Sequence, residues 1–201
     1  MSKRNDRTRA KQSGKYLEVL EVAARTFQRK GYHHASISDI ADELGILKGS
    51  LYYYIASKEE LLEDIVLAAL RAYSDSLEHA LKLQEPAEKV LEKAVVAFLS
   101  PGNVSYAMRV VFISERKHLG PTASRHVEKE IIHYEKLWLN VIHNGVREKV
   151  FRDDIDPSIL LRTFFGMANW SSEWFDPDGK YNLEQLGDFF ASIFIDGIRR
   201  R

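Results

Sequence analysis

The sequence has no cysteine, which excludes disulfides and thiolate metal sites. With five prolines and eleven glycines, breaks between elements are few and easily placed. No apolar run approaches the ~18 residues that a bilayer-spanning helix needs. The basic start lacks the apolar stretch of a secretory signal, so a cytoplasmic protein with no membrane partner is expected. Period-two strand patterns are scarce. Neither a phosphate loop nor a dinucleotide fingerprint is present, and a catalytic serine elbow needs a strand that is missing. An enzyme is therefore not expected, and no cofactor is implied. An excess of one charge is also lacking: 29 Lys and Arg balance 29 Asp and Glu. Alone, that balance argues against a nucleic-acid partner.

The balance hides an asymmetry. Lys3, Arg4, Arg7, Arg9, Lys11 and Lys15 are opposed only by Asp6 in the first fifteen residues. Residues 1–14 read as a basic flexible arm, either a solvated tail or a segment that neutralises phosphates. Beyond it, 45% hydrophobic residues suffice for a core, and nearly every apolar pattern has helical spacing. Leu17, Leu20, Ala24 and Phe27 form a stripe on a helix over Lys15–Lys30, closed by Gly31. Ser36, with Asp39 three residues on, caps a short helix through Ile40, Ala41 and Leu44 that stops at Gly45. A third helix runs from Lys48 to about Ile55, and Ser57 caps a long fourth. Two short helices joined by a glycine turn make a helix-turn-helix.

Further helices are predicted at roughly 58–83, 86–100, 104–118, 122–149, 156–172 and 182–200. Pro86, Pro101, Gly120, Pro157 and the Asp176–Gly179 turn separate them. The expected fold is all-α, with about nine helices. An N-terminal three-helix domain over 15–60 precedes a larger helical domain over 61–201.

The stretch GILKGSLYYYIASKEEL, Gly45–Leu61, sets Tyr52, Tyr53 and Tyr54 in a row. Successive helical residues point about 100° apart, so all three cannot face one core. In a major groove the row has a use. Gly49 lets backbone approach closely, Lys48 reaches guanine or phosphate, and Ser50 donates to phosphate. Tyr52 lays its edge toward a base, while Tyr53 and Tyr54 reach the backbone walls. Lys58, at a helix start that already favours anions, adds a phosphate contact. Ser36 and Ser38, at the start of the preceding helix, complete the candidate DNA-contacting set.

The segment SISDIADELGILKGSLYYYIASKEELL closely resembles the DNA-binding segment of tetracycline-repressor-like (TetR family) transcription regulators. Those read Thr-x-x-x-Ile-Ala-x-x-x-Gly-Val-Ser-x-Gly-x-Leu-Tyr-x-His-Phe-x-x-Lys-Glu-x-Leu. Ser36, Ile40, Ala41, Gly45, Ile46, Gly49, Leu51, Tyr52, Lys58, Glu59 and Leu61 match, as does FQRKGY at Phe27–Tyr32. Three positions depart. Leu47 stands where the family has Ser, leaving the recognition helix without its usual cap; Tyr54 replaces His, and Ile55 replaces Phe. The GILKGSLYYYI form resembles a subgroup that includes regulators of fatty-acid and sterol breakdown, which respond to acyl-CoA thioesters. The resemblance implies a DNA-binding repressor whose larger domain dimerises and binds an effector.

The residues of that domain agree in part. Helix 156–172 carries Ile159, Leu160, Leu161, Phe164, Phe165, Met167 and Trp170, and helix 182–200 carries Leu183, Leu186, Phe189, Phe190, Ile193, Phe194 and Ile198. Stripes that wide bury two faces, one against the chain's own core and one against a partner copy. Candidate effector-binding residues are Phe98, Met108, Arg109, Phe112, Tyr134, Trp138, Phe165, Asn169 and Trp170, most of which serve equally as core. Arg109, Arg116 and Arg162 are candidates for a basic mouth to an acyl-CoA channel. The Glu115/His118 and Glu130/His133 pairs have the spacing found in di-iron bundles. Matching buried glutamates are missing, so metal binding is not expected. A helical adaptor that binds no DNA is the remaining alternative; it accounts for the core but not for the Lys48–Tyr54 row and the basic arm.

Overall fold

Several helix ends fall where the sequence supplies caps. Gly31 and Gly45 adopt φ of 75° and 66°, a region that a glycine enters at little cost. At Gly45 the N–H of Ile46 donates to the Ala41 carbonyl (3.0 Å) and that of Gly45 to Asp42 (3.1 Å). Those two bonds are the Schellman pattern that closes a helix. Ser36 and Asp39 form a reciprocal capping box, as do Asn182 and Gln185. Asp156 caps a helix that has Pro157 in its first turn, where the missing N–H costs nothing.

The computed structural model describes residues 14–100, 102 and 104–200. All but the last residue of the predicted basic arm lies outside them. Among the described residues there are nine α-helices and one 3-10 turn. They are α1 (Gly14–Lys30), α2 (Ile37–Glu43), α3 (Lys48–Leu51), α4 (Lys58–Lys82), α5 (Ala87–Leu99), α6 (Tyr106–Ser114), the turn Arg116–His118, α7 (Pro121–Arg147), α8 (Pro157–Trp174) and α9 (Leu183–Ile198). Extended pairing among these residues is limited to one bridge between Phe151 and Arg199. No described helix is long and apolar enough to cross a membrane.

Three details differ from the sequence reading. Leu17 is 65% exposed, whereas Leu20, Ala24 and Phe27 of the predicted stripe are buried, with Tyr16, Val19 and Ala23 beside them. Of the predicted stripe, only Leu17 lies off the buried face. The helix predicted over 104–118 ends at Ser114, and the chain tightens into the 3-10 turn. Ser114–His118 contains no apolar side chain to bury, and Pro121 disfavours helix in the residue before it. The third helix is α-helical only over Lys48–Leu51 and continues to Ile55 as a turn, with Tyr53 and Tyr54 bonding three residues back.

The chain divides into two compact units. One runs to Ala69 and takes in Ser105–Glu128; the other holds Leu70–Val104 and Lys129 onward. The first contains α1–α3, the start of α4, and α6 packed against α1. Val19, Ala23, Phe27, Ile40, Leu51, Ile55, Leu61 and Leu62 fill its interior. In the second, α5 packs closely along α9. A Cβ on Gly187 would lie 2.9 Å from the Val96 Cα, too near for backbone to accommodate. Gly187→Ala is expected to push these helices apart at a cost of about 1–2 kcal/mol, offset little by better helix propensity. Chemical denaturation measures it, and an unchanged midpoint would mean that the crossing yields freely.

Candidate DNA-binding interface

The head is built so that the third helix has one buried and one open side. Leu51 and Ile55, four residues apart, are fully buried and fix α3 against the helices behind it. Lys48, Gly49, Ser50, Tyr52 and Tyr53 are exposed. Nothing lies within 4 Å of the position a Gly49 Cβ would take, so a duplex can approach the backbone there. The Tyr54 ring is half-buried and meets Tyr53 edge-on, with centroids 5.4 Å apart. The edge-on contact steadies the two rings against each other.

Polar bonds hold α2 and the loop before it in register with α1. Glu43 accepts from Arg29 at 2.7 Å and from the buried Thr26 hydroxyl at 3.2 Å. Lys30 donates to Asp39 at 2.7 Å. That ammonium, with the Ser36 backbone and hydroxyl bonds, holds the Asp39 carboxyl down to about 2. The Tyr16 hydroxyl donates to Asp64, joining α1 to α4. Burial first, and then that carboxylate, push the Tyr16 phenol far above its ordinary range.

Two predicted contacts change role. The sequence predicts a phosphate contact for Lys58. In the structure its ammonium donates to the carbonyls of Tyr32 (2.8 Å), Ala35 (2.9 Å) and His33 (3.3 Å), and lies 4.6 Å from the Tyr32 ring centroid. Three carbonyls converging on one cation use all its donors, so Lys58 tethers the α1–α2 loop. The Ser36 hydroxyl accepts from the Asp39 N–H and donates to the Asp39 carboxylate, which commits it to the cap. Ser38 is half-buried within the first turn of α2. At Leu47 the expected lack of a side-chain cap holds: only its carbonyl engages the helix, accepting from Ser50 at 2.8 Å.

The α6–α7 region supplies contacts that sequence reading missed. Glu115 accepts from the Tyr32 N–H (3.2 Å), and His118 shares a 2.9 Å hydrogen bond with His33. Stacking of His118 on Tyr32 completes the junction. The partners are more than eighty residues apart, and no local pattern announces them. His118 thus pairs with His33, and His133 with Glu78 at 3.0 Å.

A recessed, capped α2, a glycine turn and an outward-facing short helix make a helix-turn-helix head. Residues 19–65 match the model of bacterial regulatory proteins, tetR family. Residues 84–198 match that of the tetracyclin repressor-like C-terminal domain, which alone spans more than half of the chain. The chain belongs to the TetR family. The HTH-type transcriptional repressor KstR2 of Mycobacterium tuberculosis is 30% identical over 202 residues, covering 97% of this chain and 98% of that protein. The TetR family regulator PfmR of Thermus thermophilus superposes with a TM-score of 0.80 at 30% identity, over 90% of this chain and 99% of that one. AibR, solved with isovaleryl coenzyme A and operator DNA, shares the fold with a TM-score of 0.74 at 22% identity, covering 89% and 96%.

The effector-binding residues predicted for this TetR-family chain fall into two groups. Met108, Arg109 and Phe112 are buried on α6 in the first unit. In the second unit Phe98, Tyr134, Trp138, Phe164 and Phe165 form one cluster of rings, with Trp138 and Phe164 centroids 4.7 Å apart. Burial drives the Tyr134 phenol far upward. The Asn169 carboxamide oxygen is enclosed and takes no hydrogen bond from the described residues. Trp170 departs from expectation: it is 66% exposed and belongs to the outer face of α8. Of the three predicted mouth arginines, Arg109 is fully buried and Arg162 exposed. Arg116 donates to the Phe112 carbonyl at 2.9 Å, and burial lowers its pKa.

The outer face of the C-terminal helices is apolar. Ile159, Trp170 and Trp174 on α8, with Phe189 and Ile193 on α9, are each about half exposed or more. Their inward neighbours Leu160, Phe164, Phe190 and Phe194 are buried. Each helix therefore carries the second apolar face that the sequence predicts.

Proposed function

We propose that the protein is a ligand-responsive transcriptional repressor that binds a roughly palindromic operator as a homodimer. The observation that carries this reading is the open Lys48–Tyr53 side of α3, fixed from behind by Leu51 and Ile55. The apolar outer faces of α8 and α9 supply the two-fold contact. Two heads then enter successive major grooves, with half-sites about one turn, ~34 Å, apart or a multiple of it. The basic arm adds phosphate or minor-groove contacts, and the work is done in the cytoplasm, without catalysis. Residues 15–60 read DNA, and 61–201 carry the effector and dimer roles.

The effector is a small apolar molecule or an acyl-CoA-type thioester. The ring cluster and the orphaned Asn169 acceptor favour an apolar ligand with a hydrogen-bond donor. AibR, which has this fold, was solved with such a thioester and operator DNA together. Helices α4 and α7 each begin in the head-containing unit and end in the other, which gives a continuous route for a signal. Coupling is reciprocal, so an effector that releases DNA binds more weakly to the DNA-bound protein.

The test is selection of bound duplexes from a random double-stranded pool. Enrichment of one palindrome is expected; no enrichment at low salt with folded protein would favour a helical adaptor. On the enriched operator, Lys48→Ala is expected to weaken binding about tenfold and relax preference at one position per half-site. Equal losses on operator and scrambled duplex would mean that the ammonium meets phosphate.

A further inference from the structure

Leu47 is 80% exposed, the most open large apolar side chain on the head. Helical spacing alone would turn it inward, because it lies four residues before the buried Leu51. Its backbone is extended instead, with φ −66° and ψ 142°. The side chain is left open to solvent, as are those of Lys48 and Ser50. Nor does it cap the helix, since no side-chain bond is made there. An isobutyl group this exposed on the leading turn of the short helix buries little surface within the head.

Only one group on the major-groove edges suits it. Donors and acceptors of guanine, cytosine and adenine are polar, and the phosphate walls are charged. Thymine alone presents an apolar C5-methyl. We propose that Leu47 is a specificity-determining residue that reads thymine in each half-site through that methyl. Where a serine would accept or donate a hydrogen bond to any of several bases, leucine selects one base by shape and apolar contact. The inference rests on the DNA-binding reading above and adds a base to it.

The experiment uses the full-length dimer and the operator enriched by selection. Each thymine in the half-site is replaced in turn by deoxyuridine, which removes the methyl and leaves every hydrogen-bonding group in place. At one thymine, wild-type affinity is expected to fall about three- to fivefold per half-site, or about tenfold or more when both symmetric positions are changed. Leu47→Ala is expected to bind the thymine and deoxyuridine operators equally. Replacing a cytosine at that position by 5-methylcytosine in a thymine-to-cytosine operator should recover part of the loss for wild type only. If wild type binds its palindrome but no deoxyuridine position couples to Leu47, this inference is overturned while the repressor reading stands. If no duplex is enriched, both fall. Circular dichroism of Leu47→Ala checks that the variant folds, as exposure of the side chain leads one to expect.

Discussion

Ile193→Glu is expected to convert the protein to a monomer and abolish tight operator binding. Ile193 is 63% exposed in the single chain, so a carboxylate there meets water and leaves the subunit folded. In the dimer it would sit in the apolar contact formed by α8 and α9. Replacing an interface-core residue by a charge costs about 2 kcal/mol or more. A two-fold interface counts every substitution twice, giving about 4 kcal/mol, or roughly a thousandfold in dimer Kd. Sedimentation at micromolar concentration should report a monomer with unchanged helical content. DNA affinity should drop to that of one head on one half-site. A variant that still sediments as the wild-type dimer would move the interface elsewhere on the surface.

Lys58→Met separates a structural tether from a phosphate contact. Methionine keeps the apolar stem but removes the ammonium that joins three loop carbonyls. Hydrogen bonds from a charged donor are worth about 1.5–3 kcal/mol each at most, and partial exposure lets water replace some of them. A loss of about 2–4 kcal/mol from the head is expected on that basis, measured by denaturation. Operator affinity should fall with it. The slope of log affinity against log salt should stay constant, because no phosphate charge is lost. Removal of a phosphate-bound cation would instead lower that slope by about 0.9. Unchanged stability with a shallower slope would return Lys58 to the DNA surface.

Much of this architecture is written locally. Ser36, Gly31, Gly45, Asn182 and Pro157 mark helix ends through cap chemistry, which depends on a few neighbouring residues. The tyrosine row signals an open face because three consecutive rings cannot share one core. The apolar breadth of α8 and α9 announces a second buried face, which Trp170, Trp174 and Ile193 then leave open. Less legible is anything decided by distant neighbours. Lys58 carries the pattern of a phosphate ligand, and only the fold brings the carbonyls of residues 32–35 to it. Arg109 looks like a residue of a pocket mouth, yet on α6 it is fully buried. Leu47 is legible only as a missing cap. Its outward course depends on a backbone ψ that no pattern of side chains records.

The exposed tryptophans have a spectroscopic consequence. Of the three in the chain, Trp138 is fully buried, whereas Trp170 and Trp174 are 66% and 51% exposed on the outer face of α8. An indole in water emits at longer wavelength than one in an apolar contact. Assembly should therefore shift the emission of two fluorophores to the blue and leave the third as an internal reference. Dilution of the unlabelled protein then reports its own association equilibrium, and a titration with operator DNA reports whether binding to the duplex and pairing of the subunits are one step or two.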